Sequence, residues 1–240
     1  MSLAPKVRAA LLKVSAATVT TVLIRKGVRR VFVEGARPLI GDGERVVGEA
    51  FTLRFIPVRE DMATIESWAN PRSTRAAIEE MPAGCVAVAD ARGVTAAAIF
   101  GDILAMRMRV RNVEALVTDG CLRDIDGMRA VNLPVWAAGV AAPPSVGGLT
   151  FVGWQEPIGC GGVAVYPGDV IIADRDGAVC IPQALAAAVA SEATEQELFE
   201  GWALEQIERG APLPGTYPPN DETRARYAAW KADQGKRKKS

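Results

Sequence analysis

The sequence predicts an α/β fold with helices at both ends and a strand-rich centre. Three observations carry this. Residues 5–26 read as one or two amphipathic helices, with Lys and Arg scattered among apolar positions. Gln183–Arg209 is a long Ala- and Glu-rich helix stopped by Gly210 and the prolines after it. Between them lie short runs rich in Val and Ile, separated by Pro, Gly and Asp turns.

Taken in order, the first helical region ends at Gly27, a plausible C-cap. "VRRVFVEG" (28–35) reads as a short strand and "RVVGEAFTLRFIP" (45–57) as a longer one, enriched in β-branched and aromatic residues. "STRAAIEEM" (73–81) is helical. "GCVAVAD" (84–90) is a buried strand, and "VTAAAIF" (94–100) is a second apolar run. After residue 133, "PVWAAGV", "TFVGWQEPIG", "GVAVYPGD", "VIIAD" and "AVCIP" read as strands. "PAGCVAVAD" (82–90) and "PGDVIIAD" (167–174) look alike, and a turn feeding a buried strand accounts for both. The basic tail "GKRKKS" reads as a solvated run.

Composition narrows the chemistry. The chain has 240 residues, enough for one large core or two small ones, and 49% of them are hydrophobic. Its 28 basic and 28 acidic residues cancel, so neither nucleic acid nor an anionic membrane is an expected partner. No apolar run approaches the roughly 18 residues of a membrane span. The N-terminus does not read as a signal peptide. There is no histidine. Ser-His and Cys-His nucleophile pairs are excluded, as are histidine zinc ligands and a histidine base. Cys85, Cys121, Cys160 and Cys180 lie far apart in sequence and read as isolated buried thiols of a cytoplasmic protein.

One stretch stands out: "GDILAMRMRVRNVEALVTDGCLRDID" (101–126). Residues 102–111 read as a helix about 15 Å long. "EALVTD" (114–119) reads as a strand about 20 Å long. A helix out and a strand back return the chain to the edge it left, so Asp102 converges with Arg123 and Asp124. Gly120 would help the strand turn out into the loop carrying them. The same edge holds the helix N-terminus, whose free amides favour an anion, and Gly101 would let a ligand approach the backbone. Two carboxylates without histidine suggest a hard divalent ion, Mg²⁺ or Mn²⁺ rather than zinc. The structural alternative makes Asp102 a helix N-cap and Arg123–Asp124 a surface ion pair.

The spacing D-x20-R-D, as Asp102, Arg123 and Asp124, is similar to that of the class II pyruvate aldolases of the RraA-like family. "VTDGCLRD", "PVWAAGV", "GGVAVYPGDVIIADRDGAVCIP" and "SAATVTTVLIRKG" resemble the family's segments too, over about residues 14–185. The resemblance implies a mixed-sheet fold of the swivelling β/β/α type, with residues 1–185 as the catalytic domain. The Ala-rich helix and Pro-rich arm of 186–240 read as too long to fold back on so small a core, so they are expected to pack on a neighbouring subunit. The resemblance also implies a homotrimer or homohexamer with sites between subunits, and bound Mg²⁺ or Mn²⁺. Asp124 would ligate the metal and Asp102 would hold it through water. Arg123 would bind the pyruvyl oxygens, and the backbone just after Gly101, at Ile103 and Leu104, would bind the carboxylate. The family's type aldolases also borrow a glutamate from a neighbour's C-terminal region, where this chain offers Glu195, Glu197 and Glu200.

The activity so implied is retro-aldol cleavage of 4-hydroxy-4-methyl-2-oxoglutarate and decarboxylation of oxaloacetate, both through a pyruvate enolate. The expected base for cleavage is a water polarised at the metal near Asp102. No lysine sits in the motif, which disfavours a Schiff-base route. A second branch of the family inhibits an RNA-degrading endonuclease and carries G-x20-R-D-x2-E/D. Here the first position is Asp102 rather than Gly, and the acid position is Gly127, with Asp126 one place early. Both departures favour the aldolase type. The family is sometimes labelled a menaquinone methyltransferase, but "GDGERVVG" (41–48) leads into a strand and reads as a turn, not a nucleotide loop. A sugar-acid (2-keto-3-deoxy acid) aldolase is the remaining enzymatic alternative.

Overall fold

The computed structural model describes residues 3–237. Lys238–Ser240, half of the basic tail, lie outside the described residues. Helices α1 (Pro5–Leu11) and α2 (Ala16–Arg25) open the chain and meet at a bend of 109°. Ser15 caps α2 by accepting from the Thr18 amide. No single described helix is long and apolar enough to cross a membrane.

A central eight-stranded mixed sheet follows. Its strands are β1 (Arg37–Ile40), β2 (Val46–Pro57), β3 (Val86–Asp90), β5 (Ala115–Thr118), β7 (Val135–Ala137), β9 (Leu149–Trp154), β12 (Val170–Asp174) and β13 (Gly177–Ile181). The order is β1-β7-β5-β3-β2-β12-β13, and β9 also pairs β2. Neighbours from β2 through β3 and β5 to β7 are parallel, while the flanking pairs are antiparallel. The look-alike segments become β3 and β12, which pair opposite edges of β2. Each is a wholly buried strand entered from a turn, and that suffices for their similarity.

The three parallel strands β3, β5 and β7 each run on into a short strand: β4 (Ala98–Phe100), β6 (Cys121–Leu122) and β8 (Gly139–Val140). These form a second parallel sheet in the order β4-β6-β8. Helices α3 (Thr74–Glu80), α4 (Asp102–Val110) and α5 (Ile125–Val131) cover one face over a core that includes Phe51, Phe55, Leu116 and Met128. A hairpin of β10 (Ile158–Cys160) and β11 (Val163–Val165) closes the other face around Val88, Val117 and Trp136. A third cluster joins α1 and α2 to β12, β13 and α6 (Ala186–Glu208).

The expected mixed α/β architecture, with N-terminal helices and a C-terminal helical arm, is the one found. One strand reading changes, and two elements are additions. Residues 28–35 form one isolated bridge, Phe32 to Val179, with flanking backbone bonds, and no strand. The actual edge strand is β1, which begins Arg37-Pro38 and shows no alternation. Helix α5 is not legible in the sequence, because Gly127 interrupts a very short segment. Within its own chain the arm also makes contacts. After a short helical turn, α7 (Leu213–Thr216), helix α8 (Asp221–Arg237) returns along α6, and Tyr227 packs on Phe199 and Trp202 at centroid distances of 5.2 and 5.5 Å. The first half of α6, through Ala186, Val189, Ala190 and Ala193, belongs to the core under α1 and α2.

Candidate functional site

The convergence of Asp102 with Arg123 and Asp124 is present, and its cause is a strand pair. β4 and β6 run parallel with Phe100 opposite Leu122, and the Arg123 amide donates to the Phe100 carbonyl at 3.0 Å. Both strands therefore end side by side, and a helix starts from each. Gly101 is the N-cap of α4, and Asp124 is the N-cap of α5. The site sits at the carboxyl ends of parallel strands, where backbone geometry leaves a crevice. Gly120 assists differently from expectation. Its backbone lies so close to Ala91 that a β-carbon would come within 3.0 Å of that side chain, so it permits packing rather than a special turn.

Two glycines interlock the acids. A β-carbon on Gly101 would lie under 3.0 Å from Asp124 Oδ2, and one on Gly127 would lie under 3.0 Å from Asp102 Oδ2. Each carboxylate thus rests against a bare stretch of the other helix's first turns. Asp124 holds a left-handed backbone (φ 54, ψ 47), which Asp tolerates better than most residues. Arg123 Nε donates to Asp124 Oδ2 at 3.0 Å. Both side chains keep about two fifths of their surface in solvent. A surface ion pair is therefore part of the geometry, but Asp102 is not the N-cap. It occupies the first helical position, and its Oδ1 accepts from the Ile103 amide at 2.7 Å. Of the two amides expected to receive a carboxylate, Ile103 is thus engaged. Leu104 has no hydrogen-bond partner for its amide among the described residues.

These groups line a cavity of about 230 Å³. Gly101, Asp102, Ile103, Leu104, Arg123 and Asp124 form one wall. The lining also includes Trp68, Thr74, Arg75, Pro144 and Ser145, which the sequence does not single out. Those residues lie on three separate segments brought in by long-range pairing, and no local motif marks them.

The donor set bears on the expected metal. Among the described residues no three ligand-type side chains gather at one point. The site offers two hard carboxylates and no nitrogen or sulfur ligand. Mg²⁺ and Mn²⁺ suit such a set, because Mg²⁺ in particular keeps several waters and needs only one or two carboxylates plus substrate oxygens. A closed zinc site does not fit. The three C-terminal glutamates serve their own chain. Glu197 accepts from the Ser15 amide at 2.7 Å and Glu200 from the Tyr217 hydroxyl at 2.8 Å. Glu195 accepts from the Tyr227 hydroxyl and pairs with Lys231. None of them lines the cavity.

Elsewhere, Asp119 at the end of β5 is buried and accepts from the amides of Ala91, Gly93 and Gly161 at 2.7, 2.9 and 3.1 Å. Burial, with Asp90 nearby, raises its pKa despite these bonds. It ties the loops behind the site, and no sequence motif marks it. All four cysteines are free and buried, as expected.

Comparison with known proteins agrees with this picture. A "Putative 4-hydroxy-4-methyl-2-oxoglutarate aldolase" from Halalkalibacterium halodurans is 30% identical over 148 residues, covering 60% of this chain and 63% of that protein. Protein DlpA of Legionella pneumophila is 27% identical over 143 residues, again 60% of this chain but 22% of DlpA. The matched region thus spans under two thirds of either relative. Among solved structures, an uncharacterized protein from Pseudomonas syringae pv. tomato superposes with a TM-score of 0.79 at 26% identity, covering 90% of this chain and 95% of the other. Streptomyces coelicolor RraAS2, described as an unusual member of the RNase ES inhibitor RraA family, gives 0.75 at 31% identity, covering 88% and 99%. The RraA-like family model, described as Aldolase/RraA, matches residues 16–180, more than two thirds of the sequence, and the chain belongs to that family.

Proposed function

We propose that this protein is a divalent-metal-dependent carbon–carbon lyase that cleaves or decarboxylates 2-oxo acids through a pyruvate enolate. The observation that carries the reading is the meeting of Asp102, Arg123 and Asp124 with the free Leu104 amide at one cavity wall. Asp124 and Asp102 would hold Mg²⁺ or Mn²⁺, which when bound supplies Lewis-acid polarisation of the 2-oxo group.

The chain's own groups do the rest. Leu104 N–H, at the positive end of α4, takes the substrate carboxylate. Arg123 spends only its Nε on Asp124, which leaves its terminal N–H groups for the 2-oxo oxygen. There it stabilises the negative charge that grows as the C3–C4 bond breaks. Asp102, through a water, accepts the proton of the C4 hydroxyl, whose carbon departs as a carbonyl. The C3 carbon then takes a proton to give pyruvate. In oxaloacetate the departing group is CO₂, and no base is needed to start.

The assembly expected of such a lyase is a homotrimer or homohexamer. The apolar face of α4 supports association, since Ile103 and Val110 are 81% and 61% exposed beside the site. The likeness to RraAS2 favours a second reading, a non-catalytic regulator of an RNA-degrading endonuclease. Gly127 counts against it, because the acid of that branch's pattern is missing where Asp102 needs the space. The deciding experiment is a panel of oxaloacetate and 4-hydroxy-2-oxo acids with Mg²⁺ or Mn²⁺, with EDTA as control. Pyruvate formed at the uncatalysed rate throughout would rule out the lyase.

A further inference from the structure

Arg75 is a second cation lining the cavity, and it differs from the arginines nearest the site. Neighbouring arginines have carboxylate partners: Arg72 pairs with Glu156, Arg107 and Arg111 with Glu79, and Arg123 with Asp124. Arg75 has no hydrogen-bond or ion-pair partner among the described residues. Instead its guanidinium carbon lies 4.6 Å from the centroid of the Trp68 ring. Stacking on an aromatic face holds the planar fork in one orientation and leaves its N–H edges open. Desolvation lowers its pKa, and no carboxylate opposes that shift. Arg75 is exposed, and a guanidinium held flat on a ring without a counterion is a preorganised anion receptor.

The cavity is therefore lined by two cations on separate segments, Arg123 at the end of β6 and Arg75 on α3. We infer that Arg75, held on Trp68, is a specificity-determining residue that binds a carboxylate on the departing half of the substrate. This rests on the lyase reading above for the meaning of "departing half". Arg123 and Leu104 take the 2-oxo acid head, so the cation they leave unused, Arg75, is assigned to the fragment beyond C4. At about 230 Å³ the cavity lies below the usual range for ligand pockets, roughly 300–1,000 Å³. A short 2-oxo diacid suits it better than a long sugar acid or a phosphate ester.

A matched pair of substrates tests this. 4-Hydroxy-2-oxoglutarate and 4-hydroxy-2-oxopentanoate differ only by carboxylate or methyl at C5. Each cleaves to pyruvate, with glyoxylate or acetaldehyde as the other product. Wild type should favour the diacid in kcat/KM, and Arg75→Gln should remove that preference, lowering the diacid about 10- to 100-fold. The monoacid should change less than about threefold, and Arg75→Lys should fall between. A readout without turnover accompanies it: calorimetric binding of 2-oxoglutarate and of 2-oxopentanoate, neither of which has a C4 hydroxyl to cleave. The diacid should bind more tightly to wild type and equally with the monoacid to Arg75→Gln. Equal losses on both substrates, or an unchanged diacid preference in the folded variant, would overturn the role of Arg75 and leave the lyase standing. Absence of turnover with every substrate would remove the lyase reading and this inference together.

Discussion

Asp102 and Gly127 share one space: the carboxylate of the first fills the position that a side chain on the second would need, with Oδ2 under 3.0 Å from where a β-carbon on Gly127 would lie. Two successive helices are locked together at the site by this contact. Gly127→Ala is therefore expected to displace Asp102 while leaving the strand ends intact. Activity on oxaloacetate should fall at least about tenfold, the usual scale for displacing a catalytic group. The thermal midpoint should move only a few degrees. Wild-type turnover in Gly127→Ala would show that Asp102 need not sit where it is found.

Arg123 separates charge from shape. Arg123→Lys keeps a positive charge but loses the fork that can grip a 2-oxo acid while holding Asp124. It should lower kcat, and Arg123→Ala should lower it further, by roughly 100- to 1,000-fold, as for loss of one oxyanion donor. As a half-exposed ion-pair partner alone, Arg123 would be worth under about 1 kcal/mol of stability and nothing in rate. Near-normal kcat in folded Arg123→Ala would leave only that structural role.

Asp124 should behave differently from Arg123 toward metal. Asp124→Asn keeps the size of the side chain resting on Gly101 but removes its charge. Calorimetric Mn²⁺ binding should be lost with activity, whereas Arg123→Lys should retain Mn²⁺ binding. Equal Mn²⁺ affinity in Asp124→Asn and wild type would exclude Asp124 as a ligand.

Asp119 offers a test of pH. Burial raises its folded pKa, so the folded chain holds this proton more tightly than the unfolded one. The linked stability is fully present below the ordinary carboxylate pKa and is lost as pH rises through the raised folded value. Urea midpoints measured across that interval should show this downward component in wild type and not in Asp119→Asn. Asp119→Ala should cost about 1–3 kcal/mol, chiefly because the buried Ala91 amide loses its acceptor, while the more exposed Gly93 and Gly161 amides can turn to water. A wild-type midpoint in Asp119→Ala would show those amides find other partners.

The thiols should be silent. Burial pushes Cys85 to about 12 and raises Cys121, Cys160 and Cys180 as well. Iodoacetamide at pH 8 should leave activity intact, and all four should react only after unfolding. Rapid labelling of the folded chain would mean that one of them is open to solvent.

What the sequence reveals is chiefly local. Helix α4 and strand β5 are readable because their apolar spacing is regular over several residues, and their lengths alone imply that Asp102 returns to Arg123. The physical agent of that return, the pairing of β4 with β6, joins Phe100 to Leu122 across twenty-one intervening residues and leaves no periodic trace. Helix α5 is hidden for the same reason that its Gly127 matters: the residue that makes room for Asp102 also breaks the helical pattern. Trp68 and Arg75 are invisible because nothing near them in sequence indicates that they will line the cavity. Residues 28–35 mislead because Val31 and Val33 are buried like strand residues, while their segment makes only one bridge.

The interlock of acids and glycines also restricts how such a site can change over generations. An acid at position 127 and one at position 102 compete for the same volume, so no single substitution converts one arrangement into the other. Adding the second acid first crowds two like charges together, and removing the first acid first leaves the cavity with Asp124 alone. Either intermediate is handicapped, so lineages on the two sides of this exchange are expected to stay apart. Ancestral states at these two positions should change together or not at all.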